Sequence, residues 1–199
     1  PDFRPSGGTR THDTVLLEWT AKNPAAATYD GGTPRELIRF EQPFAATAAA
    51  VTHWHRMEPQ CPNCGGSTVV INGGFARHCV RCRRDHFPRT DPAVIVAVLD
   101  LEDRLLLGGQ AAWGNRVSVL AGFVESGESL EQAIHREIGE EVDISLSELR
   151  YFGSQPWPFP RSLMVAFFGR ATGTDIRVDT AEIAHAEWYT RDQLSAKLD

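Results

Sequence analysis

The sequence predicts an α+β protein in which a mixed β-sheet with packed helices follows a small cysteine-rich ribbon. Residues 93–99 read Ala-Val-Ile-Val-Ala-Val-Leu, a continuous apolar run typical of a buried strand. One strong helical segment, residues 129–142, interrupts an otherwise strand-rich second half. Two Cys-x-x-Cys pairs lie within residues 61–82.

The length of 199 residues suits one main domain with smaller parts. We divide the chain into an N-terminal region of residues 1–58 that ends in a helix, a ribbon of residues 59–88 and a domain of residues 89–199. The net charge of −6 argues against a generally basic nucleic-acid-binding protein. No apolar run approaches the roughly 20 residues of a membrane span, so we expect no membrane association.

The N-terminal region is expected to be a partial α/β unit. Residues 14–19 suit a strand, and turn signals follow at residues 23–24 and 30–32. Residues 44–57 are rich in alanine and contain neither glycine nor proline, which predicts a helix. Trp54 is expected to be a core residue of that helix.

The cysteine pairs have the spacing of a structural zinc site. Fourteen residues separate Cys64 from Cys79, and thiolates three residues apart can both reach one tetrahedral ion. Gly65-Gly66 and Gly73-Gly74 supply tight turns, the second pair at a hairpin tip. The predicted ligands of one zinc ion per chain are Cys61, Cys64, Cys79 and Cys82.

Two disulfides are the alternative interpretation of the cysteines, but nothing in the sequence indicates an oxidising compartment. Four thiolates leave no coordination position open for water, so the zinc is expected to be structural and not catalytic. His53 and His55 lie nearby and are expected to be structural or surface residues, because four cysteines already complete the site.

Basic residues cluster around the second cysteine pair. One interpretation is solvated charge that offsets the net −2 of a zinc tetrathiolate, and the other is contact with the phosphates of a nucleotide or RNA. The cluster comprises Arg77, Arg81, Arg83, Arg84 and Arg89.

Further elements are predicted after the ribbon. A strand at residues 104–107 is expected to pair with residues 93–99 across a turn centred on Asp103. The remaining predicted elements are strands at residues 117–120, 150–153, 163–171 and 186–189, and a short helix from Arg191.

The chemistry is expected on the central helix. Residues 122–129 form a glycine-punctuated loop, and Ser129 with Gln132 suits a capping box at the helix start. Glu137, Glu140 and Glu141 are then close enough to repel one another. A solvated acidic face is one interpretation. The other is a divalent cation site, since Mg²⁺ and Mn²⁺ prefer hard oxygen ligands.

The spacing from Gly122 through Glu128 to Arg136-Glu137-Ile138-x-Glu140-Glu141 resembles the Nudix box. The resemblance implies a Nudix α/β/α sandwich around a mixed sheet, with Mg²⁺ or Mn²⁺ held by the three helix acids. It also implies that Glu128 is a supporting acid and that Arg136 orients the ligands. The family usually has glycine where this chain has Asp143, which leaves open how the helix ends.

Residues 154–162 read Ser-Gln-Pro-Trp-Pro-Phe-Pro-Arg-Ser, which without a family would suit a rigid aromatic loop of the core. With the Nudix box and the four cysteines upstream, they resemble the NADH pyrophosphatase branch of the family. This resemblance implies a homodimer that hydrolyses NAD(H) to nicotinamide mononucleotide and AMP. Bacterial members of the branch also remove NAD caps from RNA 5′ ends.

The same resemblance assigns further site residues. Phe123 would stack on nicotinamide, and Phe87 would reach into the partner's site. Trp157 offers a flat surface for a ring, while Gln155 and Ser162 would be polar contacts. Glu182 would join the metal or water site, so that the catalytic set is Arg136, Glu137, Glu140, Glu141 and Glu182.

Two alternatives remain open at this point. One is a Nudix hydrolase of another nucleoside diphosphate derivative, such as ADP-ribose. The other is a zinc-ribbon module that binds a nucleotide or RNA without turnover. The cysteine usage and the lack of a visible secretory signal favour the cytoplasm.

Overall fold

The computed structural model describes residues 43–198 and divides the chain into two compact units. Of the described residues, the first comprises residues 43–90 with residues 157–161, and the second comprises residues 91–156 with residues 162–198. The strand predicted at residues 14–19 and the turns after it lie outside the described residues. The helix predicted at residues 44–57 and the ribbon belong to one unit.

The first unit contains a helix and a three-stranded ribbon. Its strand order is β1-β2-β3, and both pairs are antiparallel. A 3₁₀ turn at Asn72–Gly74 joins the first two strands, with positive φ at all three residues, as the glycines predicted. The elements are α1 (Pro43–Met57), β1 (Thr68–Ile71), β2 (Ala76–Cys79) and β3 (Asp85–His86). Trp54 is buried, as expected.

The second unit is a six-stranded mixed sheet of order β7-β8-β4-β5-β9, with β6 paired to β4. β4 is parallel to β8 and antiparallel to β5 and β6. The elements are β4 (Asp91–Leu99), β5 (Leu105–Gly109), β6 (Leu120–Phe123), α2 (Leu130–Val142), β7 (Leu146–Trp157), β8 (Ser162–Ala171), β9 (His185–Tyr189) and α3 (Arg191–Leu198).

One hydrophobic core unites the sheet and α2. Alternate residues of β4 point to the same face and are fully buried there, together with one face of α2. The helix, which carries the acids on its other positions, is therefore held rigidly against the sheet. The buried residues include Val94, Val96, Val98, Leu106, Ile134, Ile138, Val142 and Phe167.

Two sequence predictions of strand extent were wrong. The strand predicted at residues 117–120 corresponds to β6, which lies further toward the C-terminus, at Leu120–Phe123. Pairing with β4 begins only where Leu120 meets Val96, and before Leu120 there is only the single bridge between Ser118 and Gly108. Gly122 and Phe123, predicted in a loop, are the end of β6.

The strand predicted at residues 150–153 was too short. β7 runs to Trp157 and includes half of the segment predicted as a stiff loop. Proline removes a backbone donor, yet Pro156 is accommodated because β7 is the edge strand of the sheet. Among the residues that the structure describes, none of the helices has the length and apolar character that a membrane span requires.

Candidate functional site

The four cysteine sulfurs of the ribbon form one cluster, with all Sγ atoms within 4.8 Å of one another. Cys61 Sγ lies 3.6 Å from Cys82 Sγ, and Cys64 Sγ lies 3.6 Å from Cys79 Sγ. A disulfide requires about 2.05 Å, and all four cysteines are free. Four sulfurs at about 2.3 Å from one tetrahedral ion would be about 3.8 Å apart. The cluster therefore fits a zinc ion and not two disulfides.

Tight turns bring the cysteines together. Gly65, with φ of 69°, donates its N–H to the Cys61 carbonyl, and a side chain at Gly66 would press on Arg81. The Cys82 N–H donates to Cys79 Sγ at 3.4 Å. Backbone donors at Cys82 and Arg81 lower the pKa of the Cys79 thiol to about 6. These backbone donors favour the thiolate of Cys79, the form in which cysteine binds metal.

Neither histidine of α1 belongs to the cysteine cluster. His55 Nε2 donates to the Gly74 carbonyl at 2.9 Å, and its Nδ1 accepts from Arg77 at 2.9 Å. Arg77 also donates to Thr68 Oγ1. His55 and Arg77 therefore join α1 to the ribbon, and one arginine of the basic cluster has a structural role.

The other four ribbon arginines are exposed. Their guanidinium groups form no hydrogen bond or ion pair with any residue between positions 43 and 198, so this positive charge faces solvent. These residues are Arg81, Arg83, Arg84 and Arg89.

In the second unit, α2 begins and ends at defined caps. Ser129 accepts from the Gln132 N–H while Gln132 accepts from the Ser129 N–H, which confirms the predicted capping box. Asp143 ends the helix in the left-handed conformation, with φ of 55°. An aspartate thus adopts the geometry that glycine usually provides, and its N–H bonds the Gly139 carbonyl.

Arg136 is the hub of the acidic face. Its Nε and Nη2 bind both carboxylate oxygens of Glu128 at 2.7 and 2.9 Å. Nη1 donates to Glu137 at 2.9 Å and to Glu140 at 3.0 Å, and Nη2 also donates to the Phe123 carbonyl. All five guanidinium donors are used, so the side chain is fixed. Its role in orienting metal ligands stays a prediction.

Glu128 is held as a carboxylate. Arg136 binds it, and the Glu125 N–H donates to its Oε2 at 2.9 Å. Together these donors, with Arg136 the larger effect, lower the pKa of Glu128 to about 2. Glu128 therefore supports Arg136 as a permanent anion and is not free to carry a proton near neutral pH.

Three carboxylates converge beside this hub. Oxygens of Glu137, Glu141 and Glu182 lie within 4.8 Å of one another. Glu182 stands in the loop before β9, and two backbone bonds attach that loop to the end of α2, from Arg177 N–H to the Val142 carbonyl and from Asp179 N–H to the Glu141 carbonyl. Glu182 thus lies at the same site as Glu137 and Glu141, although it is more than 40 positions away from them along the chain.

Of the three carboxylates, Glu141 has the position with the largest desolvation cost. Its side chain is 8% exposed, and its buried Oε2 has no hydrogen-bond partner within residues 43–198. Burial, with the charges of Glu137 and Glu182, raises the pKa of Glu141 to about 7. A buried, unsatisfied carboxylate oxygen among other carboxylates is destabilising unless a cation or a proton compensates it. The cluster therefore fits a divalent metal ion with oxygen ligands.

Gly122 is required for this arrangement. A Cβ atom at Gly122 would overlap the carboxylate of Glu137. The glycine at the end of β6 thus leaves space for an acid of the carboxylate cluster, a reason for the glycine that only the packing of α2 against β6 reveals.

Glu140 is not in the carboxylate cluster. Its side chain is 51% exposed and bonds Arg136, whereas that of Glu137 is 15% exposed. Its assignment as a metal ligand stays a prediction.

The predicted substrate residues fall in both units. Phe123 and Gln155 are exposed residues of the second unit, and Ser162 is buried at the start of β8. In the first unit, Phe87 is 61% exposed, and Trp157 packs edge-on against Phe159 with ring centroids 5.3 Å apart. Their roles toward a substrate stay predictions.

Two contacts in the first unit have no signal in the sequence. Glu58 accepts from the Trp54 indole and from Arg161 at 3.2 Å, which anchors residues 157–161 to the end of α1. His86 Nε2 lies 3.1 Å from Cys61 Sγ. The Arg161–Glu58 and His86–Cys61 contacts span 103 and 25 residues and follow no recurring pattern along the chain, so sequence reasoning had no means to find them.

Comparison with known proteins agrees with this geometry. The chain is similar to the NAD-capped RNA hydrolase NudC of Vibrio vulnificus, 39% identical over 163 residues, which cover 80% of this chain and 62% of that protein. It is also similar to the NAD-capped RNA hydrolase NudC of Mycobacterium bovis, 41% identical over 177 residues, which cover 88% and 56%. The chain thus spans about three fifths of the length of these curated relatives.

A solved NUDIX hydrolase from Nitrosomonas europaea shares the fold, with a TM-score of 0.56 at 21% identity over 67% of this chain and 78% of that one. Residues 89–199, more than half of the chain, match the NUDIX domain. With the Arg136 hub and the carboxylate cluster inside the matched region, the chain belongs to the Nudix family.

Proposed function

We propose that this chain is a metal-dependent hydrolase of the pyrophosphate bond of NAD(H), with nicotinamide mononucleotide and AMP as products. The observation that carries the proposal is the convergence of Glu137, Glu141 and Glu182 around an unsatisfied buried oxygen. The relatives named as NAD-capped RNA hydrolases support this choice of substrate.

Glu137, Glu141 and Glu182 would hold Mg²⁺ or Mn²⁺, with Glu140 as the further ligand that the Nudix resemblance implies. When bound, such ions neutralise the diphosphate, stabilise the charge that develops in the transition state and activate water. Water adds to one phosphorus, the bridging P–O bond breaks, and each phosphorus leaves in a monophosphate.

The protein contributes orientation and charge to this reaction. Arg136 keeps Glu137 in place through a 2.9 Å bond, and Glu128 in turn fixes Arg136 from the other side. Without a cation, burial and neighbouring charges raise the pKa of Glu141 to about 7, and a bound cation would favour the carboxylate and displace this proton. The fixed set of acids and guanidinium needs little reorganisation during reaction.

In this proposal the ribbon holds one structural Zn²⁺ on its four cysteines. The nicotinamide would stack on Phe123 and meet Gln155 and Ser162. Trp157 would offer a flat surface for a ring, and Phe87 would reach the site of a partner subunit in a homodimer. We place the enzyme in the cytoplasm, because free thiolates persist in reducing compartments.

Removal of NAD caps from RNA is a second proposed activity. The observation that favours it is the group of four exposed arginines at the ribbon, which have no partner within residues 43–198, since RNA adds phosphates that free NAD lacks. Replacing Arg81, Arg83 and Arg84 by glutamine should lower kcat/KM for NAD-capped RNA and weaken its salt dependence, while NADH hydrolysis stays unchanged. An Arg191→Gln variant is the control, and equal loss on both substrates would contradict the RNA contact.

The deciding experiment is side-by-side hydrolysis of NADH, NAD⁺, ADP-ribose and an NAD-capped RNA, with Mn²⁺ and with Mg²⁺. Release of nicotinamide mononucleotide that a Glu141→Gln variant abolishes supports the proposal. Turnover of ADP-ribose alone would assign the chain to a different Nudix substrate class. No turnover of any substrate would favour a nucleotide-binding module.

A further inference from the structure

The zinc site has a neighbour that the four-cysteine pattern does not include. His86 is the second residue of β3 and pairs with Arg77 of β2. Its Nε2 lies 3.1 Å from Sγ of Cys61, whose residue is only 2% exposed. The contact joins residues 25 positions apart and sits where the chain leaves the ribbon.

The chemistry of a zinc-bound cysteine defines the direction of this bond. A metal-bound thiolate can only accept a hydrogen bond, so the Nε2 of His86 must carry the proton and donate it. A donor on a ligand sulfur withdraws charge from it, and donors to ligands are known determinants of metal affinity.

Of the other three cysteines, Cys79 receives a hydrogen bond from the backbone, because the Cys82 N–H donates to its Sγ at 3.4 Å. For Cys61 the donor is a side chain, that of His86. The hydrogen bond to Cys61 therefore depends on residue identity, whereas the one to Cys79 depends on the backbone turn.

We propose that His86 is a positioning residue of the zinc site, which donates a hydrogen bond to Cys61 and slows the loss of zinc. The inference rests on the proposed zinc occupancy of the ribbon. It concerns retention of the ion and not coordination, because the four sulfurs already form the set that a closed tetrahedral site needs.

Three variants of the full chain separate hydrogen bonding from packing. His86→Phe keeps a planar ring but removes the donor, and His86→Gln keeps an N–H donor. His78→Gln is the matched control, because His78 lies on β2 beside the cluster but bonds Asp85 at 2.6 Å and not a cysteine.

Each protein is first shown to hold zinc, and the rate of zinc transfer to a chromophoric chelator is then measured. His86→Phe should transfer zinc about tenfold faster, in the range found when donors to metal ligands are removed. His86→Gln should remain within about threefold of the wild type, and His78→Gln should match it. A second readout is the alkylation rate of Cys61, followed by peptide mass mapping, which should rise in His86→Phe.

The outcomes are distinguishable. If the proteins hold one zinc ion per chain and His86→Phe transfers it as slowly as the wild type, this inference is overturned but the zinc proposal is not. The inference also fails if His86→Gln releases zinc as fast as His86→Phe, or if His78→Gln accelerates release equally, because packing would then explain the effect. A wild-type protein without zinc would overturn the zinc proposal and this inference with it.

Discussion

The cysteine cluster of the ribbon and the carboxylate cluster beside α2 both bring anionic groups close together, but they differ in how the negative charge is compensated. Each gathers anionic groups within 4.8 Å of one another. In the ribbon, N–H donors reach the sulfurs, and four soft ligands complete a tetrahedron. Beside α2, one carboxylate oxygen is buried without a hydrogen-bond partner in the described part of the chain, and Glu182 is exposed.

The first arrangement is typical of a structural metal site, and the second is typical of a catalytic metal site. A closed thiolate set leaves no position for substrate or water, so its ion stabilises the fold. An open set of hard oxygen ligands carries repulsion that only a bound cation or proton relieves, and leaves room for a phosphate oxygen. Each prediction below tests one side of this contrast, in order of decreasing expected effect.

Loss of zinc should unfold the ribbon. Structural zinc contributes on the order of 10 kcal/mol to the folding of small domains, and the ribbon has only three short strands. In a Cys79→Ser variant, hydrogen exchange should show lost protection at residues 61–86 and retained protection in β4 and β5. Val80→Ser, an exposed change at the next position, should leave protection unchanged, and unaltered protection in Cys79→Ser would contradict a structural zinc.

Loss of Glu141 should abolish turnover without unfolding the domain. Glutamine keeps the shape of the side chain but cannot supply the negative charge that a cation needs. We expect Glu141→Gln to lower kcat about 10³-fold, equivalent to about 4 kcal/mol, with no decrease in Tm. The measurement is release of nicotinamide mononucleotide by chromatography, together with thermal unfolding. A variant that retains a tenth of the wild-type rate would remove Glu141 from the catalytic machinery.

The carboxylate cluster should make stability depend on pH when Mg²⁺ and Mn²⁺ are absent. Burial and nearby charges raise the pKa of Glu141 from 4.5 to about 7. The folded state therefore binds this proton more tightly than the unfolded chain. The resulting stabilisation is complete below pH 4.5 and is lost as the pH rises to about 7.

Urea unfolding of the zinc-loaded protein without Mg²⁺ or Mn²⁺ should show this loss, up to about 3 kcal/mol. Added Mn²⁺ should abolish it, because the cation replaces the proton. Glu141→Gln serves as the control that lacks the titrating group. Parallel pH profiles for the two proteins would show that Glu141 does not titrate in this range.

A side chain at Gly122 should displace Glu137. The new methyl group of Gly122→Ala would overlap the carboxylate, so we expect activity to fall about 10-fold to 100-fold, or about 2 kcal/mol. Gly139→Ala is the matched control, because a Cβ there meets nothing within 4 Å and alanine favours the helix. Equal activity of the two variants would mean that Glu137 has room to move.

Much of both sites could be predicted from local patterns. The capping box at Ser129 and the start of α2 follow from hydrogen bonds within one turn, and the cysteine spacing follows from the reach of two neighbouring thiolates. The extents of β6 and β7 could not be predicted, because partner strands and edge position determine where a strand ends.

The chemical groups that each site offers follow from local sequence, because spacings of three and four residues place side chains on one turn or one helix face whatever surrounds them. Tertiary packing was needed to bring Glu182 to Glu141, to give Gly122 its place beside Glu137, and to let His86 donate to Cys61. Most of these contacts join elements distant in the chain, and all of them depend on how β6, the ribbon and the loop before β9 pack.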